Sequence, residues 1–150
     1  MSTSARWDDV RTRLVDELTA LDDGQSLVLS EPAAPPRSSG RPARRRWFGR
    51  SARSGASPVG RYVQASRLGT DLLCECVSAA YADVSPERTA ALLSLGWSDP
   101  GRQLEGASSE NHVYWGSVQD PRSCADMFVG ALQALGTGVP DARWRWDRVA

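Results

Sequence analysis

Lysine is absent from this chain, so all eighteen of its basic residues are arginine. An arginine-, alanine- and glycine-rich vocabulary is what GC-rich codons favour, so it needs no selection for the planar, forked contacts that set guanidinium apart from ammonium. Histidine occurs once, at His112, and cysteine three times, at 74, 76 and 124. Three cysteines cannot all pair within one chain, which argues against a disulfide scaffold. No run of about 18 apolar residues is present to span a bilayer. The opening "MSTSARWDD" has no apolar stretch behind a basic one, so no signal peptide is indicated and a cytoplasmic address is the expectation. What is present, 150 residues of which 41% are apolar, suffices for one domain with a core.

Several chemistries are poorly served by the residues at hand. Cys74 and Cys76 lie two apart, so on a strand they share a face with Leu72 while Leu73, Glu75 and Val77 take the other. A zinc site needs further soft ligands, and Cys124 and His112 stand at no motif spacing, so the thiols read as small apolar residues and no metal is expected. A Cys124 and His112 nucleophile oriented by Asp120 or Asp126 is conceivable on residue type, but a surface histidine without a catalytic role is the expectation. The carboxylate pairs Asp8/Asp9 and Asp22/Asp23 fall at helix ends, where capping and solvation account for them. No glycine loop follows a strand and opens a helix, so no phosphate cradle, catalytic residue or cofactor is assigned.

Charge is unevenly spread. Residues 33–58, "AAPPRSSGRPARRRWFGRSARSGASP", hold seven arginines and no acid, which leaves eleven arginines against eighteen acids elsewhere. The stretch is therefore about +7 and the remainder about −7. With Trp47 and Phe48 as its only large apolar residues, it cannot offset its ordering entropy and reads as a disordered insert. Arg44, Arg45, Arg46 and Arg50 around Trp47 and Phe48 are the candidate contacts for a polyanion or an acidic partner.

The rest alternates between helical and strand periods. Trp7, Val10, Leu14, Leu18 and Leu21 predict an amphipathic helix over 5–22 ended by Gly24, and "SLVLSE" a strand over 26–31. "GRYVQASRL" and "DLLCECVSA" predict a hairpin turning near Gly69. Ser85, Pro86 and Gly96 punctuate a helix over 86–95. "HVYWGSV" predicts a strand over 112–118, and Asp120–Pro121 open a last helix with the stripe Cys124, Met127, Phe128, Ala131, Leu132 and Leu135, closed by Gly136. The tail "VPDARWRWDRV" is a strand or an arm; on a strand, Trp144 and Trp146 would cover the sheet while Arg143, Arg145 and Arg148 face solvent or acids. Strands joined by hairpins make this α+β, an antiparallel sheet with helices on one face, over a single domain at 1–150.

"RYVQASRLGTDLLCECVSAAY", "SPERTAALLSLGWSDP" and "NHVYWGSVQDPRSCADMFVGALQALGTGVP" together resemble the actinobacterial TY-Chap domains, named for similarity to type III secretion chaperones and the YbjN proteins. The resemblance covers about residues 5–32 and 60–149 and lacks the 26-residue arginine-rich insert. It implies a non-enzymatic, chaperone-like module that binds a protein or peptide client and is linked to secretion. Relatives of the wider group commonly dimerise. Tyr62, Trp97 and Trp115 are the aromatic residues a client groove would draw on, although burial in the core is the expectation for Trp7, Trp97 and Trp115. The alternative is a nucleic-acid binder in which Arg44 to Arg46 neutralise phosphates while Trp47 or Phe48 stacks on bases.

Overall fold

The computed structural model describes residues 3–32, 60–100 and 110–150. The insert at 33–58, with Arg44, Arg45, Arg46, Trp47, Phe48 and Arg50, lies outside the described residues. Eight elements follow in order: α1 (Thr3–Thr19), β1 (Ser26–Ser30), β2 (Tyr62–Leu68), β3 (Asp71–Cys76), α2 (Pro86–Leu95), β4 (His112–Ser117), α3 (Pro121–Leu135) and β5 (Arg145–Val149). The five strands form one sheet in the order β4-β3-β2-β1-β5. Every neighbouring pair is antiparallel, so the fold is the expected α+β arrangement.

Helix α1 stops at Thr19, short of the expected end at 22. Leu21 N–H turns in to Leu18 O at 3.3 Å, and Gly24, at φ 88°, gives its N–H to Arg67 O on β2. Leu21 stays buried beyond the helix end and completes the stripe of Trp7, Val10, Leu14 and Leu18. The predicted caps form. Ser85 accepts from Arg88 N–H and Asp120 from Ser123 N–H, each at 3.2 Å, while Gly96 and Gly136 close α2 and α3 in the left-handed conformation. The β2–β3 hairpin turns through Gly69 at φ 68°.

All three helices pack on one face of the sheet. There α3 lies between α1 and α2 and rests on β2, β3 and β4. Facing it are Leu27, Leu29, Val63, Ala65, Leu72, Cys74 and Cys76, all buried. The tail is a strand and not an arm. Trp144 is buried, Trp146 lies under the Arg13 guanidinium at 4.0 Å, and Arg148 reaches Glu17 on α1 at 2.8 Å. These contacts clamp β5 to the first helix, with the cation over the indole face contributing about 0.5–1 kcal/mol.

Two expectations are overturned on β4. His112 is not a surface residue; it is buried on the helix side, where Nδ1–H donates to Ser98 O at 2.8 Å. Trp115, expected in the core, is 59% exposed. The cause is one alternation: His112, Tyr114 and Gly116 pair with Cys76, Cys74 and Leu72 of the buried row, so Trp115 must point the other way. Trp7 and Trp97 are buried as expected. Trp97 stacks on Phe128 at 6.3 Å between ring centres and meets Tyr114 edge-on at 6.2 Å.

Candidate functional site

The face of the sheet turned away from the helices is built from strand residues of the opposite parity. Its rows follow from the register. Trp115, Leu73, Ser66, Ser26 and Val149 form one row across β4 to β5, and Val113, Glu75, Gln64, Val28 and Asp147 form the next. Tyr62, Ser30 and Arg145 continue a third. Four inter-strand steps of about 4.8 Å make the face about 19 Å wide, a span that an extended chain covers in about six residues. Among the described residues no helix lies over it.

Its chemistry is mixed. Trp115, Leu68 and Val149 are exposed, and Leu73, Val113 and Val28 are half-buried. At the β1–β2 side a cavity of about 360 Å³ opens between Val28, Ser30, Tyr62, Gln64 and the rim residues Glu31 and Arg145. The rim is rigid. Arg61 grips Glu31 through Nε to Oε1 at 2.8 Å and Nη2 to Oε2 at 3.0 Å, and its Nη1 donates to Leu135 O at the end of α3. Burial pushes the Glu31 carboxyl up, but the hydrogen bonds and charge of Arg61 outweigh it and hold the group below the usual carboxylate range. Tyr62 is raised by burial, against the hydrogen bond its hydroxyl accepts from Asn111 Nδ2 at 2.9 Å. Asn111 also lies 3.4 Å from Glu75 Oε1, so the loop before β4 is tied to the face at two points.

Tyr62 and Trp115 therefore share this face, on β2 and β4, while Trp97 sits on the helix side with 3% of its surface exposed and does not join them. The arginine-rich candidates lie outside the described residues. Sequence reasoning passed over Val28, Gln64, Val113 and Arg145. Their signal was the even spacing along each strand, which Leu73 and Glu75 already displayed opposite the cysteines.

Nucleophilic groups are on the other side. Cys74, Cys76 and Cys124 are all buried and free. Cys74 is raised by its hydrogen bond with Cys124 and by burial, burial pushes Cys76 up to about 12, and the hydrogen bond with Cys74 lowers Cys124. Cys74 and Cys76, protonated at neutral pH, are poor nucleophiles, and Cys124 has no surface exposed to a substrate. The described residues contain no group of three histidine, cysteine or carboxylate side chains placed to hold a metal ion. No described helix is long and apolar enough to cross a membrane. The arrangement offers a broad, half-apolar surface whose capacity is to hold a chain.

No curated protein and no solved structure matches this sequence. The model of the TY-Chap3 family, described as T3SS (YopN, CesT) and YbjN peptide-binding chaperone 3, matches residues 1–142. An α+β sheet with a bare face and a family match over nearly the whole length agree, and the chain belongs to the TY-Chap3 family of peptide-binding chaperones.

Proposed function

We propose that the bare face of the sheet holds an extended segment of a client protein, without catalysis, and keeps it available for hand-over to a secretion apparatus. The observation that carries the reading is Trp115, a large aromatic side chain left 59% exposed on a face where half-buried Leu73, Val113 and Val28 stand among polar residues. Aromatic residues of this kind are the anchors of peptide-binding surfaces. On this face Asp71, Glu75 and Asp147 stand against Arg145, a balance that does not attract phosphate backbones; the nucleic-acid alternative rests on the arginines of residues 33–58 instead.

The test is capture from the native cytosol by the tagged chain and by its Trp115→Asp variant, at moderate and at high salt, followed by mass spectrometry. Apolar burial is not screened by salt, so the expected result is a small set of proteins retained by the parent chain at high salt and lost with the variant. Retention unchanged by Trp115→Asp, or nucleic acid alone released by salt, would refute the reading.

A further inference from the structure

We infer, resting on the peptide-binding reading above, that this face selects extended segments in which arginine or lysine alternates around an apolar residue. Strand β3 turns Asp71, Leu73 and Glu75 to the bare face at successive alternate positions. Two residues of an extended chain advance about 6.8 Å, so a client laid along β3 presents its own alternate side chains at the same period. Leu73 faces Trp115 across the strands, and Leu68 stands exposed beside Asp71. An apolar client residue would rest on this pad with a carboxylate on either side.

Of the strand carboxylates on this face, Asp147 pairs with Arg145 at 3.3 Å. Asp71 and Glu75 have no cationic partner among the described residues. Among the described residues the polar contact given to Glu75 is the Asn111 amide, at 3.4 Å. It is half-buried beside Val113, where an arriving cation interacts more strongly than at a fully exposed position. Trp115 adds an aromatic face for a guanidinium. Charge thus complements a basic segment and repels an acidic one.

Pairing at the β4 edge fits less well than recognition on the face. Val113 N–H donates to Ser98 Oγ at 2.9 Å, Val113 O accepts from Ser98 N–H at 3.0 Å, and Ser117 O accepts from Asp120 N–H at 3.0 Å. The outward backbone groups left on β4 belong to Trp115 and the Ser117 amide, too few to hold an added strand in register.

The experiment is an NMR titration of the isotope-labelled chain with three blocked peptides, Arg-Ser-Leu-Ser-Arg, Ser-Ser-Leu-Ser-Ser and Glu-Ser-Leu-Ser-Glu. The parent chain is expected to bind the arginine peptide about tenfold more tightly than the serine peptide and the glutamate peptide most weakly, from one or two charge-assisted contacts. Shifts should centre on Leu73, Glu75 and Trp115. Glu75→Gln keeps a side chain for Asn111 and is expected to lower the preference severalfold; Asp71→Asn with Glu75→Gln should abolish it. Equal binding of all three peptides at these residues, or a preference that survives the double substitution, overturns the charge selection and leaves peptide binding standing. If no peptide shifts the face, both inferences fall.

Discussion

Replacing Gly116 with alanine tests the alternation that turns Trp115 outward. Gly116 lies on β4 opposite Leu72, on the helix side, and a methyl group built there would collide with Cys124 Sγ on α3. Tyr114 Cε2 at 3.4 Å and Leu72 O at 3.8 Å would tolerate it, so the conflict is with one sulfur. That sulfur sits on the fourth residue of a capped helix and is itself buried, which leaves it no open rotamer to escape into. Either α3 lifts from the sheet by about an ångström or β4 distorts. Overpacking of this kind costs about 1–3 kcal/mol, equivalent to about 3–10 °C in Tm for a chain of this length. Thermal and urea unfolding followed by circular dichroism would measure it. Because a single atom carries the conflict, the penalty should shrink by more than half in a Cys124→Ala background, a coupling readable as a double-mutant cycle. A cost below about 0.5 kcal/mol, or the same cost in both backgrounds, would mean that Gly116 does not face α3 and that Trp115 does not face solvent.

Three further outcomes are expected. Trp115→Ala should change stability by less than about 0.5 kcal/mol, whereas Trp97→Ala, which empties the space against Phe128 and Tyr114, should cost about 3–5 kcal/mol in the same melts. For Glu31, a folded value held below the unfolded one contributes stability that is complete above the unfolded carboxylate range and is lost as pH falls through the lowered folded value. Since the pair is partly exposed, the effect is at most about 1 kcal/mol, and Glu31→Gln should lower the neutral plateau by up to that amount and flatten the acid limb, the two stability curves converging at low pH. The three thiols should resist a maleimide in the folded chain and react together on unfolding; rapid labelling of any one in native buffer would contradict their burial.

Local punctuation made much of the fold legible in advance. Ser85–Pro86 with Gly96, and Asp120–Pro121 with Gly136, satisfy orphan backbone groups by themselves and so mark α2 and α3 without tertiary help. The β2–β3 hairpin is equally local, since Gly69 supplies the positive φ. The β4 residues carried no such mark. Val113 and Trp115 are apolar, and so is most of Tyr114, so "HVYWGS" alternates without showing which parity is buried. The deciding contact is Gly116 under Cys124, between residues brought together only by the folded chain. His112 was misplaced for the same reason, its burial depending on Ser98 beyond α2. Pairing of β5 with β1 joins the two ends of the chain, and no local signal distinguishes a final strand from an arm. The bare face was half visible in Leu73 and Glu75 opposite the cysteines, but its cavity and the unpaired state of Asp71 and Glu75 are properties of the assembled sheet.

Photocrosslinking would decide whether the client lies on that face. A benzophenone side chain placed at Trp115 or at Gln64, and as a control at Arg122 on α3, can be irradiated in native extract and its adducts mapped by mass spectrometry. Adducts to the same client segment from 115 and 64, with none from 122, are the predicted result. Adducts from 122 with silence at 115 and 64 would place the client on the helices and contradict the assignment of the sheet face.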